Sequence, residues 1–322
     1  CTVVRSEPFA IGELPTPPRF RSTNIEVLTF DRVSSGMGGL FVDQEGRMQA
    51  YWASFSYQSN GKEREIFRGI PSDMYRWTVE ALRQGKDPVV SSLECELKPI
   101  AIAKARQGLG LTDMWVQKLM ERHSDKRHVL MIRRVRLDSS QTGVLLPGDL
   151  LVGIEGAAVV TFRDVDNAIR GKATVKVSLI RDGEEKEIEV KVSALGSDGT
   201  DRLVEWAGMV LQQTPRSVGS NNGWLPDGGT GVYCSCWCYG SPSHMYGVHA
   251  TQWVAAMNDI PTPDLDAALS AIASFPSDKY VRIKLVDLKG QPKVVTLKPD
   301  DHYWSLSELR RKGSDWVHSD DK

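Results

Sequence analysis

Two stretches of this chain share one order of apolar and polar positions. Each opens with an apolar run that predicts a buried strand, and continues with a helix whose apolar residues recur at helical spacing. Each ends with two alternating strands joined by a glycine-containing turn, the pattern of a β-hairpin. The first copy comprises residues 144–156, the helix positions Phe162 and Ile169, residues 175–179 and the turn Asp182-Gly183; the second comprises residues 247–259, Leu265 and Ile272, residues 281–285 and the turn Lys289-Gly290.

An internal repeat of about a hundred residues is too long for a solenoid unit and fits a small independent domain. We therefore predict two tandem domains, at residues 91–196 and 197–304, followed by a C-terminal tail at residues 305–322. Segments in which apolar and polar residues alternate make up most of both copies, and the predicted helices are short. The predicted fold class is mainly β with short helices (α+β).

The residues before the repeat form a third predicted region, residues 1–90. Alternating apolar positions predict strands at residues 25–30, 47–56 and 67–71, and residues 72–84 have the pattern of a closing helix. A glycine-rich segment, Gly36-Met37-Gly38-Gly39, lies between the first two strands.

Charge and hydropathy narrow the classes of partner. Lys and Arg number 40 and Asp and Glu 41, so a net charge of −1 offers no field that would attract nucleic acid or an anionic membrane. We find no apolar run of the roughly 20 residues that a bilayer requires, and the N-terminus lacks the shape of a signal peptide. The chain begins with Cys1 rather than Met, which predicts that it is a fragment.

Cys234, Cys236 and Cys238 alternate along the chain, which on a strand would place three thiols on one face. With His244 close by, a thiolate metal site is conceivable. Metal-binding cysteines usually occur as Cys-x-x-Cys, however, and free cysteine is commonly a small buried apolar residue. We therefore predict a core strand, no metal and no cofactor, and unpaired thiols indicate a reducing compartment.

The first copy, with Pro147-Gly148-Asp149 before an apolar strand, resembles the PDZ domains of the HtrA (Do-like) serine proteases. In the second copy Gly240-Ser241-Pro242 and Asn258-Asp259 are similar to turns of that family, although Ala250-Thr251-Gln252 replaces Pro-Gly-Asp. The resemblance implies two tandem PDZ-like domains.

The glycine-rich segment resembles the loop that carries the nucleophile of trypsin-like proteases. Met37 stands at the nucleophile position, between Gly36 and the pair Gly38 and Gly39. A thioether has no proton that a general base could remove, so the serine protease mechanism has no nucleophile there. No His precedes Met37 in this chain. Residues 1–90 therefore resemble the C-terminal barrel part of a degenerate trypsin-like domain, with no catalytic residues.

Taken together, the chain resembles the C-terminal half of the large, duplicated HtrA proteases of plants and fungi. The resemblance covers nearly the whole chain, including residues 199–202, 239–242, 258–265 and 302–304. It implies a non-catalytic region for peptide recognition or assembly in protein quality control, in the chloroplast stroma or the nucleus. The alternative is that the chain is part of an active ATP-independent serine endopeptidase whose triad lies in an upstream domain.

PDZ domains bind a peptide C-terminus by adding it as a strand beside a glycine-containing loop and a helix. In the second copy the resemblance places that loop and strand at residues 205–215 and the helix at residues 264–273. The candidate peptide-binding residues are Trp206, Ala207, Gly208, Met209, Leu211, Ala268 and Ile272.

In the first copy Glu94 occupies the glycine position, where its carboxylate would repel that of a peptide. The second copy is therefore the predicted site for polypeptide segments or protein C-termini. The other possibility is that neither copy binds peptides and both pack against an upstream protease domain or other subunits of a homo-oligomer.

Overall fold

The computed structural model describes residues 2–9, 23–31, 33, 38–137, 139–195, 199–221, 224–226, 231–276 and 278–319. The fold is mainly β with short helices, as predicted. The chain divides into two compact units, Cys1–Ser197 and Asp198–Lys322. Among the described residues, no helix is long and apolar enough to cross a membrane.

The first unit begins with an antiparallel sheet of five strands in the order β1-β2-β5-β4-β3. The strands are β1 (Val3–Pro8), β2 (Glu26–Phe30), β3 (Gly39–Val42), β4 (Met48–Ser59) and β5 (Lys62–Pro71). A 3-10 turn at Ser72–Met74 leads into α1 (Arg76–Arg83), where the closing helix was predicted. On this sheet the rings of Phe30, Phe41, Trp52 and Phe67 pack against one another. Gly69 is required beside them, because a Cβ atom would lie 2.5 Å from the ring of Phe30.

The rest of the first unit surrounds a six-stranded sheet in the order β12-β11-β9-β8-β7, with β10 paired to β9. A separate pair joins β6 to β13. The elements are β6 (Val90–Ser92), β7 (Cys95–Ala101), α2 (Ile102–Gly108), α3 (Asp113–Arg122), β8 (His128–Val135), β9 (Leu150–Ile154), β10 (Ala157–Ala158), α4 (Phe162–Ile169), β11 (Thr174–Arg181), β12 (Glu184–Lys191) and β13 (Ser193–Leu195).

The second unit contains a nine-stranded sheet in the order β20-β19-β17-β16-β15-β14-β21-β22, with β18 paired to β17. Its elements are β14 (Arg202–Trp206), β15 (Met209–Gln213), α5 (Arg216–Asn221), β16 (Val232–Trp237), α6 (Pro242–Met245), β17 (Gln252–Met257), β18 (Ile260–Pro261), α7 (Leu265–Ala273), β19 (Val281–Val286), β20 (Pro292–Leu297), β21 (Ser307–Lys312) and β22 (Asp315–Ser319). Most of the segment that was predicted as a C-terminal tail forms β21 and β22 of this sheet.

The sequence repeat corresponds to a repeat of topology. In the first unit the strand order β12-β11-β9-β8-β7, with β10 beside β9, matches β20-β19-β17-β16-β15 with β18 beside β17 in the second. The helices α4 and α7 occupy the same place along the chain in each copy. The two copies differ at one edge: β15 carries β14 on its outer side, whereas β7 is the last strand of its sheet.

Candidate functional site

The segment that resembles a protease nucleophile loop contributes little to the described structure. Gly36 and Met37 lie outside the described residues. Gly39 is the first residue of β3 and pairs with Trp52 of β4, and Gly38 precedes it. The glycine pair therefore leads directly into a strand of the five-stranded sheet.

The first unit contains a His–Asp pair, but the carboxylate of this pair is bonded to the start of a helix. The Nε2 atom of His123 lies 3.0 Å from Oδ2 of Asp164. The same oxygen accepts hydrogen bonds from the backbone N–H groups of Val160 and Thr161, at 3.1 and 3.0 Å. Asp164 completes a capping box with Thr161 at the start of α4. Burial raises the pKa of its carboxyl, but hydrogen bonds from Val160, Arg122 and Thr161 lower this pKa overall. The carboxylate therefore fixes the start of the helix.

The predicted peptide loop of the second unit is a tight β-hairpin turn. Trp206 pairs with Met209, and the two residues between them are left-handed, with φ of 51° at Ala207 and 80° at Gly208. Two successive positive φ values are typical of a type I′ turn, which suits the twist of a hairpin. A Cβ atom on Gly208 would lie 2.1 Å from the Cβ of Ser241, so only glycine fits.

The backbone of this turn already has partners within the unit. The N–H of Ala207 donates to the carbonyl of Trp304 at 3.1 Å, and its carbonyl accepts from the N–H of Ser243 at 3.0 Å. The carbonyl of Gly208 accepts from the N–H of Cys238 at 2.8 Å. An incoming carboxylate would therefore compete with Trp304 for the Ala207 amide.

The strand that was predicted to receive a peptide is paired on both edges. β15 pairs with β16 on one side and with β14 on the other. Six of the candidate residues share one apolar cluster. All of them are buried within the unit: Trp206 2%, Ala207 0%, Met209 0%, Leu211 0%, Ala268 0% and Ile272 5% exposed, with Gly208 packed on Ser241. No side of β15 is left for strand addition among the described residues.

An ion-pair cluster holds β14 in this place. The guanidinium of Arg202 pairs with the buried carboxylate of Glu308 on β21, and lies 2.7 Å from Asp266 in the first turn of α7. The Nε atom of Arg310 lies 2.8 Å from Oε1 of Glu308, the same oxygen that pairs with Arg202. The guanidinium of Arg202 lowers the pKa of Asp266. The alternating residues 202–206, which directly precede the loop, indicate a strand, but the pairing of β14 with β15 was not predicted.

In the first unit, Glu94 stands at the position that corresponds to Gly208. Glu94, at the glycine position, has a φ of 54°, a value that glycine adopts more readily. Its carboxylate lies 3.3 Å from Arg136, and its N–H donates to the hydroxyl of Ser92 at 2.9 Å. Arg136 therefore offsets the negative charge that we expected to repel a ligand.

The prediction that three thiols share one face is wrong. Cys234 is fully buried while Cys236 is exposed. The pairing register of β15 and β16 shifts between Val210 and Leu211, which face Cys236 and Cys234. Such a bulge breaks the alternation of side chains. Burial raises the pKa of Cys234 to about 12.

No family model matches the chain. It is 34% identical over 319 residues to Protease Do-like 7 of Arabidopsis thaliana, covering 91% of this chain and 29% of that protein. It is 28% identical over 306 residues to the pro-apoptotic serine protease nma111 of Aspergillus oryzae, covering 92% of this chain and 29% of that protein. The chain thus spans less than a third of the length of these relatives.

Among solved structures, the HtrA-type protease AlgW with decapeptide matches 49% of this chain and 45% of its own, at 18% identity and a TM-score of 0.32. AlgW with tripeptide matches 53% of this chain and 60% of its own, at 16% identity and a TM-score of 0.33.

Proposed function

Because the chain belongs to the HtrA (Do-like) family of serine proteases, we propose that it is a non-catalytic assembly region of such a protease. Its two repeats are PDZ-like domains that pack within the protein instead of presenting an open peptide groove. The observation that carries this proposal is the pairing of β15 on both edges, which places β14 where a ligand strand would be added.

The energy of opening this groove supports the proposal. Moving β14 away would expose Val204 and Trp206, which are 0% and 2% exposed. Fully burying one such side chain is worth about 1.5–3 kcal/mol, and each backbone hydrogen bond adds about 1 kcal/mol. Opening would therefore cost roughly 5 kcal/mol or more. A peptide with an intrinsic dissociation constant of 1 μM gains about 8 kcal/mol, so most of its affinity would be lost to opening.

The absence of a usable nucleophile at Met37 supports the non-catalytic part of the proposal. All six His residues of this chain lie at position 123 or later, far from the order of a trypsin-like triad, in which His precedes the nucleophile. The His123–Asp164 pair has its carboxylate committed to the start of α4.

A second candidate function follows from the relatives. Both are named as proteases and are more than three times as long as the matched region. The chain would then be one part of an active, ATP-independent serine endopeptidase whose triad lies in residues that this chain does not contain.

Three measurements on the purified chain test the proposal. We expect no labelling by a fluorophosphonate probe and no hydrolysis of casein. In a fluorescence anisotropy titration, a library of hexapeptides with free C-termini should show no saturable binding below about 100 μM, because opening lowers the apparent affinity. Labelling of the wild-type chain, or binding below about 10 μM accompanied by faster hydrogen exchange in β14, would contradict it.

A further inference from the structure

The outer edge of β7 is the counterpart, in the first repeat, of the edge that β14 covers in the second. β7 ends its sheet, and no described strand pairs with its outer side. The side chains of Cys95 and Leu97 on β7 share an apolar cluster with Phe162 and Val165 of α4. The β7 edge and α4 therefore flank the place that corresponds to the β15 edge and α7 in the second repeat, and exposed strand edges attract further strands.

We propose that residues 24–26 are an internal ligand that occupies this place in cis. The proposal rests on the proposed function only in taking the two repeats as PDZ-like. It assigns to Asn24 and Glu26 a role that neither the repeat nor the protease-like segment predicts.

The Asn24 side chain takes the place of a peptide unit on the strand edge. Its Nδ2 donates to the carbonyl of Cys95 at 2.8 Å, and its Oδ1 accepts from the N–H of Leu97 at 2.8 Å. A primary amide has the same donor and acceptor as a backbone peptide group, so one side chain satisfies both groups. The backbone of Asn24 is left-handed, with φ of 57°, a conformation that asparagine adopts more easily than most residues.

Glu26 reaches α4, on the other side of the same place. Its carboxylate accepts a hydrogen bond at 3.0 Å from the backbone N–H of Phe162, the first residue of α4. A guanidinium nitrogen of Arg163 lies 3.7 Å away. The start of a helix favours a negative charge and has unpaired N–H groups, so a carboxylate is well suited to this place. Glu26 is 5% exposed.

Two residues that are two positions apart thus contact both flanking elements, one at the strand and one at the helix. Other contacts, such as Asp73 with Arg163 at 2.8 Å, join the same parts of the unit without touching β7. Ordinary packing between two sheets would not need an amide placed as a peptide group. The chemistry of the internal ligand also defines what could replace it: a peptide in which a left-handed asparagine is followed, two residues later, by a carboxylate.

The test compares Asn24→Ala with Asn60→Ala in the full chain. Asn60 is a matched control, because it is also a left-handed asparagine, with φ of 52°, but lies in the turn between β4 and β5. Hydrogen exchange is followed by NMR at the Leu97 amide and, as an internal reference, at Leu130 of β8. We expect Asn24→Ala to speed exchange at Leu97 at least tenfold and leave Leu130 unchanged, and Asn60→Ala to change neither.

Binding of a probe peptide provides a second readout. A labelled peptide of residues 23–28 of this chain should bind the variant carrying Asn24→Ala and Glu26→Ala at least tenfold more tightly than it binds the wild type or Asn60→Ala. If Asn24→Ala loses its native circular dichroism, Asn24→Asp replaces it, since it keeps the acceptor for Leu97 but repels the carbonyl of Cys95. Unchanged exchange at Leu97 or equal binding to all variants would overturn the proposal.

The outcome is distinguishable from failure of the proposed function. Peptide binding by the wild-type second repeat would appear as altered exchange in β14 and β15, with Leu97 unaffected. Failure of the internal-ligand proposal alone would leave β14 and β15 protected in every variant.

Discussion

Removal of the Arg202 side chain should loosen β14 more than any ordinary surface substitution would. Arg202 is largely buried, with 17% of its side chain exposed, and it neutralises Glu308, of which 5% is exposed. Breaking a buried pair by removing one partner typically costs about 3–5 kcal/mol. Arg310 remains beside Glu308, and its own side chain is 48% exposed, so we reduce the expected cost of Arg202→Ala to about 2–3 kcal/mol.

Hydrogen exchange with mass spectrometry on the full chain checks the expected cost of Arg202→Ala at β14 and β15. A loss of 2–3 kcal/mol corresponds to an increase of about 30- to 150-fold in the opening of residues 202–213, since about 1.4 kcal/mol is tenfold. Arg282→Ala is the control, because its ion pair with Asp259 is exposed on both sides and such pairs contribute about 0–1 kcal/mol. Equal exchange in the two variants would refute the argument that the buried pair holds β14.

Three further predictions concern individual side chains. Gly208→Ala should destabilise the second unit by about 2–5 kcal/mol in urea unfolding, because a Cβ atom at left-handed φ would lie 2.1 Å from Ser241. The control is Gly240→Ala, where φ is similar but no atom lies near the new Cβ, and it should cost only about 1 kcal/mol. Burial raises the pKa of Asp166 to about 6, from its ordinary value near 4. The folded state then binds this proton more tightly than the unfolded state, so stability falls as pH rises through that window. Relative to Asp166→Asn, the free energy of unfolding of the wild type, measured in urea titrations, should therefore fall by about 1–2 kcal/mol between pH 4.5 and 7.5. This value is reduced for partial solvent screening. A difference between the two proteins that does not change with pH would count against the burial argument. Iodoacetamide at pH 8 should alkylate the exposed Cys236 well before Cys95 and Cys234, since burial raises the pKa of both thiols to about 12; peptide mass spectrometry would reveal any early labelling of the buried pair.

The repeat was readable from the sequence because side-chain periodicity depends only on local geometry. The helix at Phe162–Ile169 and the hairpin at Asp182-Gly183 follow from apolar spacing and turn chemistry, and both are present. The strands of residues 1–90 were likewise visible as alternation, and they form β2, β4 and β5.

What the sequence did not reveal is which strand lies beside which. Alternation in residues 202–206 predicts a strand but not that it fills the groove of its own repeat, and β21 pairs with it from about a hundred residues away. Asn24 looked like an ordinary residue before a strand. Its role depends on Cys95 and Leu97, to which no local pattern connects it. The bulge that turns Cys236 outward also cannot be recognised from the alternation of side chains along a strand.

The two edges are closed over very different distances along the chain. β14 and β15 are joined by a turn of two residues, so their pairing requires little loop-closure entropy and can form within microseconds. Asn24 must find Cys95 across 71 residues, a contact that forms only after much of the first unit is in place. We therefore expect the second repeat to fold with its groove already filled, and the first to pass through a state with a bare edge on β7. Pulse-labelling hydrogen exchange during refolding would show this as early protection at Leu211 and late protection at Leu97.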